Sequence, residues 1–386
     1  MSNIPSQFSA LKTVPGRDGR IALIDGVRLI AAVIVVLYHY TAWHHDRWGT
    51  ATAAQAWPQL AQFTVFGNMG VQLFFIISGF VILLSSYGRS KAKFVGSRVG
   101  RLYPAYWVGV IITGTLVFFI WQQPSPTLTV GEILVNLTMF QGAFKIEDVD
   151  GVYWTLWAEL RFYIMILLLM SLKWLTPTKV LAFAFIWPVV GLILQLAFPD
   201  GPAQVWISQL LMPKYAGLFT GGMALFLIYK FGPSWQRGAA LILSATIAAF
   251  HTSIYGPHEA KEFVGIEPPA IAYWLIVLGF FAMLSILTLT RLNRVNFGGL
   301  KTAGAITYPM YLLHQVIGWW LIGLLSPVLP RWATLALVIA LIAVAAWGVN
   351  RWVEVPFGGR LAKLVEKKLS RHRRETAPAQ KGLRSS

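Results

Sequence analysis

Residues 21–42 read IALIDGVRLIAAVIVVLYHYTA, an apolar run that nevertheless carries an aspartate, an arginine and a histidine. About 20 mostly apolar residues are what a helix needs to cross a bilayer. Runs of that length recur along the chain, and the pattern predicts ten spans near 21–42, 66–87, 102–121, 153–172, 180–199, 205–228, 238–255, 269–290, 302–325 and 332–353. The linkers are short and turn-rich, as in Gln123-Pro124-Ser125-Pro126, Pro199-Asp200-Gly201-Pro202 and Gly256-Pro257. The expected fold is an all-α polytopic membrane protein of about ten transmembrane helices. Residues 1–20 read as a cytoplasmic segment, 21–357 as the membrane domain and 358–386 as a basic cytoplasmic tail.

Composition agrees with that reading. Of 386 residues 56% are hydrophobic, more apolar surface than a soluble domain of this size could hide. Lys and Arg number 32 against 15 Asp and Glu, a balance that first suggests nucleic acid. Their placement explains the excess better. With the N-terminus inside, 24 of the 32 fall on cytoplasmic segments, while only Arg47, Lys145, Lys261 and Arg331 fall on outward ones. Both termini are therefore expected in the cytoplasm, and no nucleic-acid partner is implied. The basic run Lys363 to Arg374 reads as an anchor to anionic lipid. Trp43, Trp57, Trp121, Trp154, Trp319 and Trp320, near predicted span ends, read as interfacial aromatics and not as a sugar platform. The first run lacks a small-residue cleavage site, so it reads as a retained helix. Cysteine is absent, which excludes disulfides, thiolate zinc sites and thiol nucleophiles. His44 and His45 are adjacent and face apart on a helix, so no metal site is expected.

Ionisable groups within spans need a reason, because a charge at a helix centre costs about 2.5–3.5 kcal/mol even on the lenient insertion scale. Arg28 and His39 lie eleven residues apart. At 100° per residue that spacing returns to within about 20° of one face, about 16 Å further along the axis. They form one polar stripe, with Asp25 one turn before Arg28. Glu159 has no cation four residues away, so either a partner on another helix is expected or the carboxyl is kept protonated. Arg161 faces elsewhere and is expected to pair with a lipid phosphate or a loop carboxylate. Arg98 and Arg101, three apart, share a helical face that could clamp phosphates bidentately or could simply supply positive-inside charge. His314 and Lys214 also fall within spans, each with a structural hydrogen-bond role as the plain alternative.

Five elements then come in a recognisable order. Arg28 to His39 is a basic residue, ten intervening residues and a histidine; Phe74 to Phe80 reads FFIISGF; Arg98 to Pro104 reads RVGRLYP. Trp154 to Tyr163 reads WTLWAELRFY, and Tyr308 to His314 reads YPMYLLH. Together they make the chain resemble acyltransferase family 3 of the membrane-bound O-acyltransferases, over residues 24–314. That resemblance implies a multi-pass enzyme of the bacterial cytoplasmic (inner) membrane. It would move an acyl group, most simply acetyl, from cytoplasmic acetyl-coenzyme A or another acyl-coenzyme A to a hydroxyl of a sugar or exported glycan. No tightly bound cofactor is implied. His39 becomes the general base, with Arg28 and Glu159 in the catalytic group, Arg98 and Arg101 on the donor, and Asp25, Ser78, Tyr311 and His314 as pocket residues. An acyl-histidine intermediate is an alternative to direct transfer. Two departures stand out: many members carry adjacent carboxylates where this chain has Glu159-Leu160, and some carry a soluble esterase-like domain not recognisable here. The rival readings are a proton-coupled or sugar transporter and a non-catalytic export scaffold; the absence of an internal repeat speaks against the first. Oligomeric state has no signature.

The charge bias makes a direct prediction. Reporters fused after Ser90, Leu175 and Asn296 should report cytoplasm, and those after Gln55, Gln141 and Glu262 the outer compartment. A Ser90 fusion that reports outside would overturn the orientation.

Overall fold

The computed structural model describes residues 21–121 and 128–375, with side chains to 371. The expected Gln123 to Pro126 turn, the segment 1–20 and the end of the basic tail lie outside the described residues. Those described are almost wholly helical, and nine helical stretches among them are long and apolar enough to cross a membrane.

Helix starts follow local chemistry. After α1 (Ala22–Thr41) come the short α2 (Ala53–Ala56), with a Thr52–Gln55 capping box, and α3 (Pro58–Thr64), opened by its proline. Next are α4 (Met69–Ser86) and α5 (Lys91–Thr115), whose cap Ser90 accepts from the Lys93 N–H. A Thr129–Glu132 capping box starts α6 (Val130–Asn136), and α7 (Trp154–Ser171) follows. Thr176 caps α8 (Pro177–Ala197), and α9 (Gly201–Leu211) breaks from α10 (Pro213–Phe231) at Met212, with φ 48° just before a proline. Ser234 caps α11 (Trp235–Val264), followed by α12 (Ala270–Leu289). The chain ends in α13 (Leu300–Leu313), α14 (Gln315–Leu325), α15 (Arg331–Val349) and α16 (Val355–Glu375). Each side-chain cap contributes about 1 kcal/mol by satisfying an end N–H.

The ninth expected span, 302–325, is split at His314 into α13 and α14. Neither piece is long enough to cross alone; end to end they match the predicted length. Two other boundaries differ from the sequence reading. Gly256-Pro257 is not a turn: α11 runs through it, because proline removes a single N–H and the missing Cβ of Gly256 lets the Tyr273 ring pack closely. Glu259 and Lys261 therefore stand on a helix and not in a loop. The basic residues before the third span are likewise not a linker, since α5 runs unbroken from Lys91 past Arg98 and Arg101.

In hydrocarbon, close backbone approach replaces water exclusion as the packing force. Helices α4 and α10 meet at Gly79 and Gly222, where an added Cβ would strike the carbonyl oxygens of Phe219 and Ile76. Helix α16, the start of the basic tail, packs along α5 with Gly100 against the Gly358 backbone. Helix α1 lies against α4 and α13 and so delivers the Arg28–His39 stripe into the bundle.

Candidate active site

Two cavities open inside the bundle. The first, about 410 Å³, is lined by Arg28 of α1, Ser78 of α4, Arg98 and Arg101 of α5, Glu159 of α7 and Tyr308 of α13. The second, about 320 Å³, is lined by His39 and Trp43, with Gln72 of α4, Lys214 of α10, His251 of α11 and Gln315 of α14. Val71 and Tyr311 line both. The polar stripe of the first helix thus runs from one cavity to the other, Arg28 facing the cationic one and His39 the opposite one.

Charge in the cationic cavity is only partly balanced. Asp25 sits 3.9 Å from Arg28, and Glu354 of the segment before α16 lies 3.3 Å from Arg101. Arg98 instead lies over the Tyr163 ring, 5.8 Å from its centroid. The partner expected for Glu159 on another helix is Ser78, whose hydroxyl donates to the carboxylate at 2.9 Å. Asp25 lines neither cavity; it acts behind Arg28, buried against Gly304. Arg161 meets no carboxylate there but donates to the Ser208 and Gln209 carbonyls, holding the end of α9. Trp43 and Trp154, expected as interfacial anchors, instead wall the histidine cavity.

The histidine cavity has a fixed tautomer. His39 Nδ1 lies 2.9 Å from the Val35 carbonyl and 3.2 Å from His314 Nε2, while His314 Nδ1 lies 2.7 Å from the Tyr311 carbonyl. A carbonyl only accepts, so both Nδ1 atoms carry protons and each neutral ring keeps a bare Nε2. The His314 Nε2 lone pair accepts from His39 Nδ1–H, which leaves His39 Nε2 as the basic nitrogen. Trp43 stacks on the His39 ring at 5.4 Å, and Trp319 Nε1 donates to the His39 carbonyl at 2.8 Å. His314 lines neither cavity; it supports His39 from behind.

The helix break that presents His314 is satisfied by residues no motif marked. Leu312 O and Val316 N, which an unbroken helix would pair, are met by the Tyr153 hydroxyl at 3.2 Å and by Asp150 Oδ2 at 3.2 Å. Tyr40 donates to the His314 carbonyl at 2.7 Å. Asp150 Oδ1 also accepts from Val152 N. Their only sequence signal is polarity at the edge of an apolar run.

The ordered motifs therefore gather on one pair of cavities joined at Tyr311. A family model described as an acyltransferase domain matches residues 21–350, and the chain belongs to that family: it is a multi-pass membrane acyltransferase. It is 25% identical to acyltransferase MdmB of Streptomyces mycarofaciens over 92% of both chains. It is also 25% identical to nodulation protein 10 of Rhizobium leguminosarum bv. viciae, over 79% of this chain and 86% of that one. The exopolysaccharide production protein ExoZ of Rhizobium meliloti (strain 1021) is 28% identical over 50% of this chain and 59% of its own. No solved structure matches the chain.

Asp150 stands just before the fourth span and gives the site a pH dependence. Burial pushes its carboxyl up to about 7, against the Val316 and Val152 N–H donors and with help from the nearby Asp148. Asp148 is itself pushed by burial up to about 6. The folded protein thus holds a proton that the unfolded chain releases near pH 4, and stability falls as pH rises from there to about 7. The thermal midpoint in detergent should drop on the order of a few degrees between pH 5.5 and 8. Asp150→Asn should flatten that slope; an unchanged slope would remove Asp150 as its source.

Proposed function

We propose that the protein transfers an acyl group, acetyl in the simplest case, from cytoplasmic acyl-coenzyme A to a hydroxyl of a sugar or exported glycan, with His39 as general base. The observation that carries this reading is the pair of cavities sharing Val71 and Tyr311, one walled by three guanidiniums and the other holding a histidine of fixed tautomer. A relative named for exopolysaccharide production supports a glycan acceptor. The positive-inside bias supports an arginine cavity on the cytoplasmic side of a bacterial inner membrane.

Arg98 and Arg101 take the donor's phosphates, since a guanidinium binds phosphate oxygens in pairs. Arg101 shares its charge with Glu354, which leaves Arg98 the stronger contributor. The thioester arm extends towards Tyr311, and the acceptor hydroxyl approaches from the His39 side. His39 Nε2 removes the hydroxyl proton as the oxygen attacks the thioester carbonyl carbon. The carbon–sulfur bond then breaks, and the proton passes from His39 to the departing sulfur, giving an ester and free coenzyme A. During the step, the imidazolium's Nδ1–H stays bonded to Val35 O and His314 Nε2. Arg28 lies on the donor side, where it stabilises negative charge on the donor or on the developing oxyanion. Glu159 keeps Ser78 and the cationic wall in place and is remote from the imidazole's bonded face.

Two variant series test the reading through coenzyme A release by purified protein in nanodiscs. Arg98→Ala should weaken donor binding, and Arg98→Lys should restore it only in part, because an ammonium cannot bind in pairs. Unchanged donor affinity in a folded Arg98/Arg101 double variant would reduce the pair to a topology signal. His39→Ala should lower turnover by about 10²–10⁴ with donor affinity intact. Retention of more than about a tenth of wild-type turnover would make His39 structural.

A further inference from the structure

The histidine cavity contains polar groups that proton transfer leaves unused. Asn68 Oδ1, Gln72 Oε1, His251 Nε2 and Gln315 Oε1 are buried without a hydrogen-bond partner in the protein, and all four residues line this one cavity. His251 and Gln315 are more than nine-tenths buried. An orphaned polar atom in a low-dielectric interior is costly, and these four come from separate elements: the turn before α4, α4 itself, α11 and α14. Asn68 and Gln72 lie one turn apart on the helical run into α4, so the groups converge from three directions, which chance packing explains poorly. The three amide oxygens accept and the imidazole nitrogen can accept or donate, so their complement is a ligand rich in hydroxyls, which do both.

The remaining wall is aromatic. Trp43 is stacked on Phe263 with ring centroids 4.4 Å apart, and Trp154 on Tyr215 at 5.6 Å. Trp43, held between the His39 and Phe263 rings, offers an edge, and together with Trp154 it makes a rigid aromatic wall against which the C–H groups of a saturated ring pack while its hydroxyls point to the rim. Net charge is close to zero. Lys214 and Glu259, both in the lining, lie 3.8 Å apart, and the Lys214 ammonium sits 3.8 Å from the Tyr255 ring centre. No cation is left over for a carboxylate or phosphate on the ligand.

We propose that this cavity is the acceptor subsite and binds a single uncharged, hydroxyl-rich pyranose ring, read by Asn68, Gln72, His251 and Gln315. The inference rests on the acyl-transfer reading above and narrows it from hydroxyl acceptors in general to neutral sugar units, excluding uronates and sugar phosphates at this position. With His39 in the same wall, one ring hydroxyl reaches Nε2 while the remaining hydroxyls bond to partners among those four groups.

The test uses the full protein in nanodiscs with a panel of methyl glycosides: glucoside, galactoside, mannoside, rhamnoside and N-acetylglucosaminide, each hexoside paired with its uronate where one exists. Binding is read by saturation-transfer NMR, and transfer by coenzyme A release from acetyl-coenzyme A. At least one neutral glycoside should bind and accept, with its uronate at least about tenfold weaker. Gln72→Leu and His251→Leu should each raise the glycoside KM by roughly tenfold while kcat changes little and acetyl-coenzyme A affinity stays the same. The wild-type comparison of neutral and acidic glycosides needs no variant, so a misfolded mutant does not blunt the test. Binding of no neutral glycoside, or preference for a uronate, would overturn the subsite. Saturable glycoside binding with no coenzyme A release would keep the subsite and sink the acyl-transfer reading instead.

Discussion

The break in the helix pair at His314 is the constraint on which the rest of the site depends. Within a bilayer every backbone polar group has to be satisfied by the protein, so a broken span survives only where side chains take over the lost bonds. Here Tyr153 serves the Leu312 carbonyl, Asp150 serves the Val316 N–H, and Tyr40 adds a bond to the His314 carbonyl. Those three residues come from the first helix and from the entry to the fourth. The break therefore locks α1, α7 and the α13–α14 pair into one relative geometry, which is the geometry that sets His314 behind His39.

The two cavities follow from the same arrangement. Helix α13 ends beside the break, and its Tyr311 hydroxyl is held by Thr155 at 2.9 Å and by the Val152 carbonyl at 3.3 Å. Tyr311 is thus a fixed wall common to both cavities, not a mobile side chain between them. Tyr311 and Val71, the side chains common to both linings, stand where the two cavities adjoin.

Much of this was readable in the sequence because helical geometry converts spacing into direction. An eleven-residue interval was enough to put Arg28 and His39 on one stripe, and an interval of three put Arg98 and Arg101 on one wall. What spacing could not supply was the pairing between distant helices. Nothing local joins His39 to His314 or Ser78 to Glu159, separated by 275 and 81 residues. Asp150, Tyr40 and Tyr153 look like unremarkable loop and interface residues until the broken backbone they serve is visible. Gly256-Pro257 misled for the opposite reason: the local turn signal is genuine, but the Tyr273 ring packs into the space left by the glycine and the helix continues. Tertiary packing decided against the local preference.

Leu160, where the family resemblance led to the expectation of a second carboxylate, bears on how the proposed base would be controlled. Glu159 faces the arginine cavity and is occupied by Ser78, so it does not touch the imidazole. The groups that do touch His39 Nδ1 are a carbonyl and a neutral imidazole. A carboxylate at that position would favour the imidazolium and raise the basicity of the ring, as in acid–base triads. Neutral acceptors fix the tautomer and orientation without that effect, and still strengthen their bonds when charge appears during the reaction. A single carboxylate on the arginine side and neutral partners on the imidazole side are therefore consistent with the proposed division of labour. A second acidic residue at 160 would lie at a different angle on α7 and is not needed for either task.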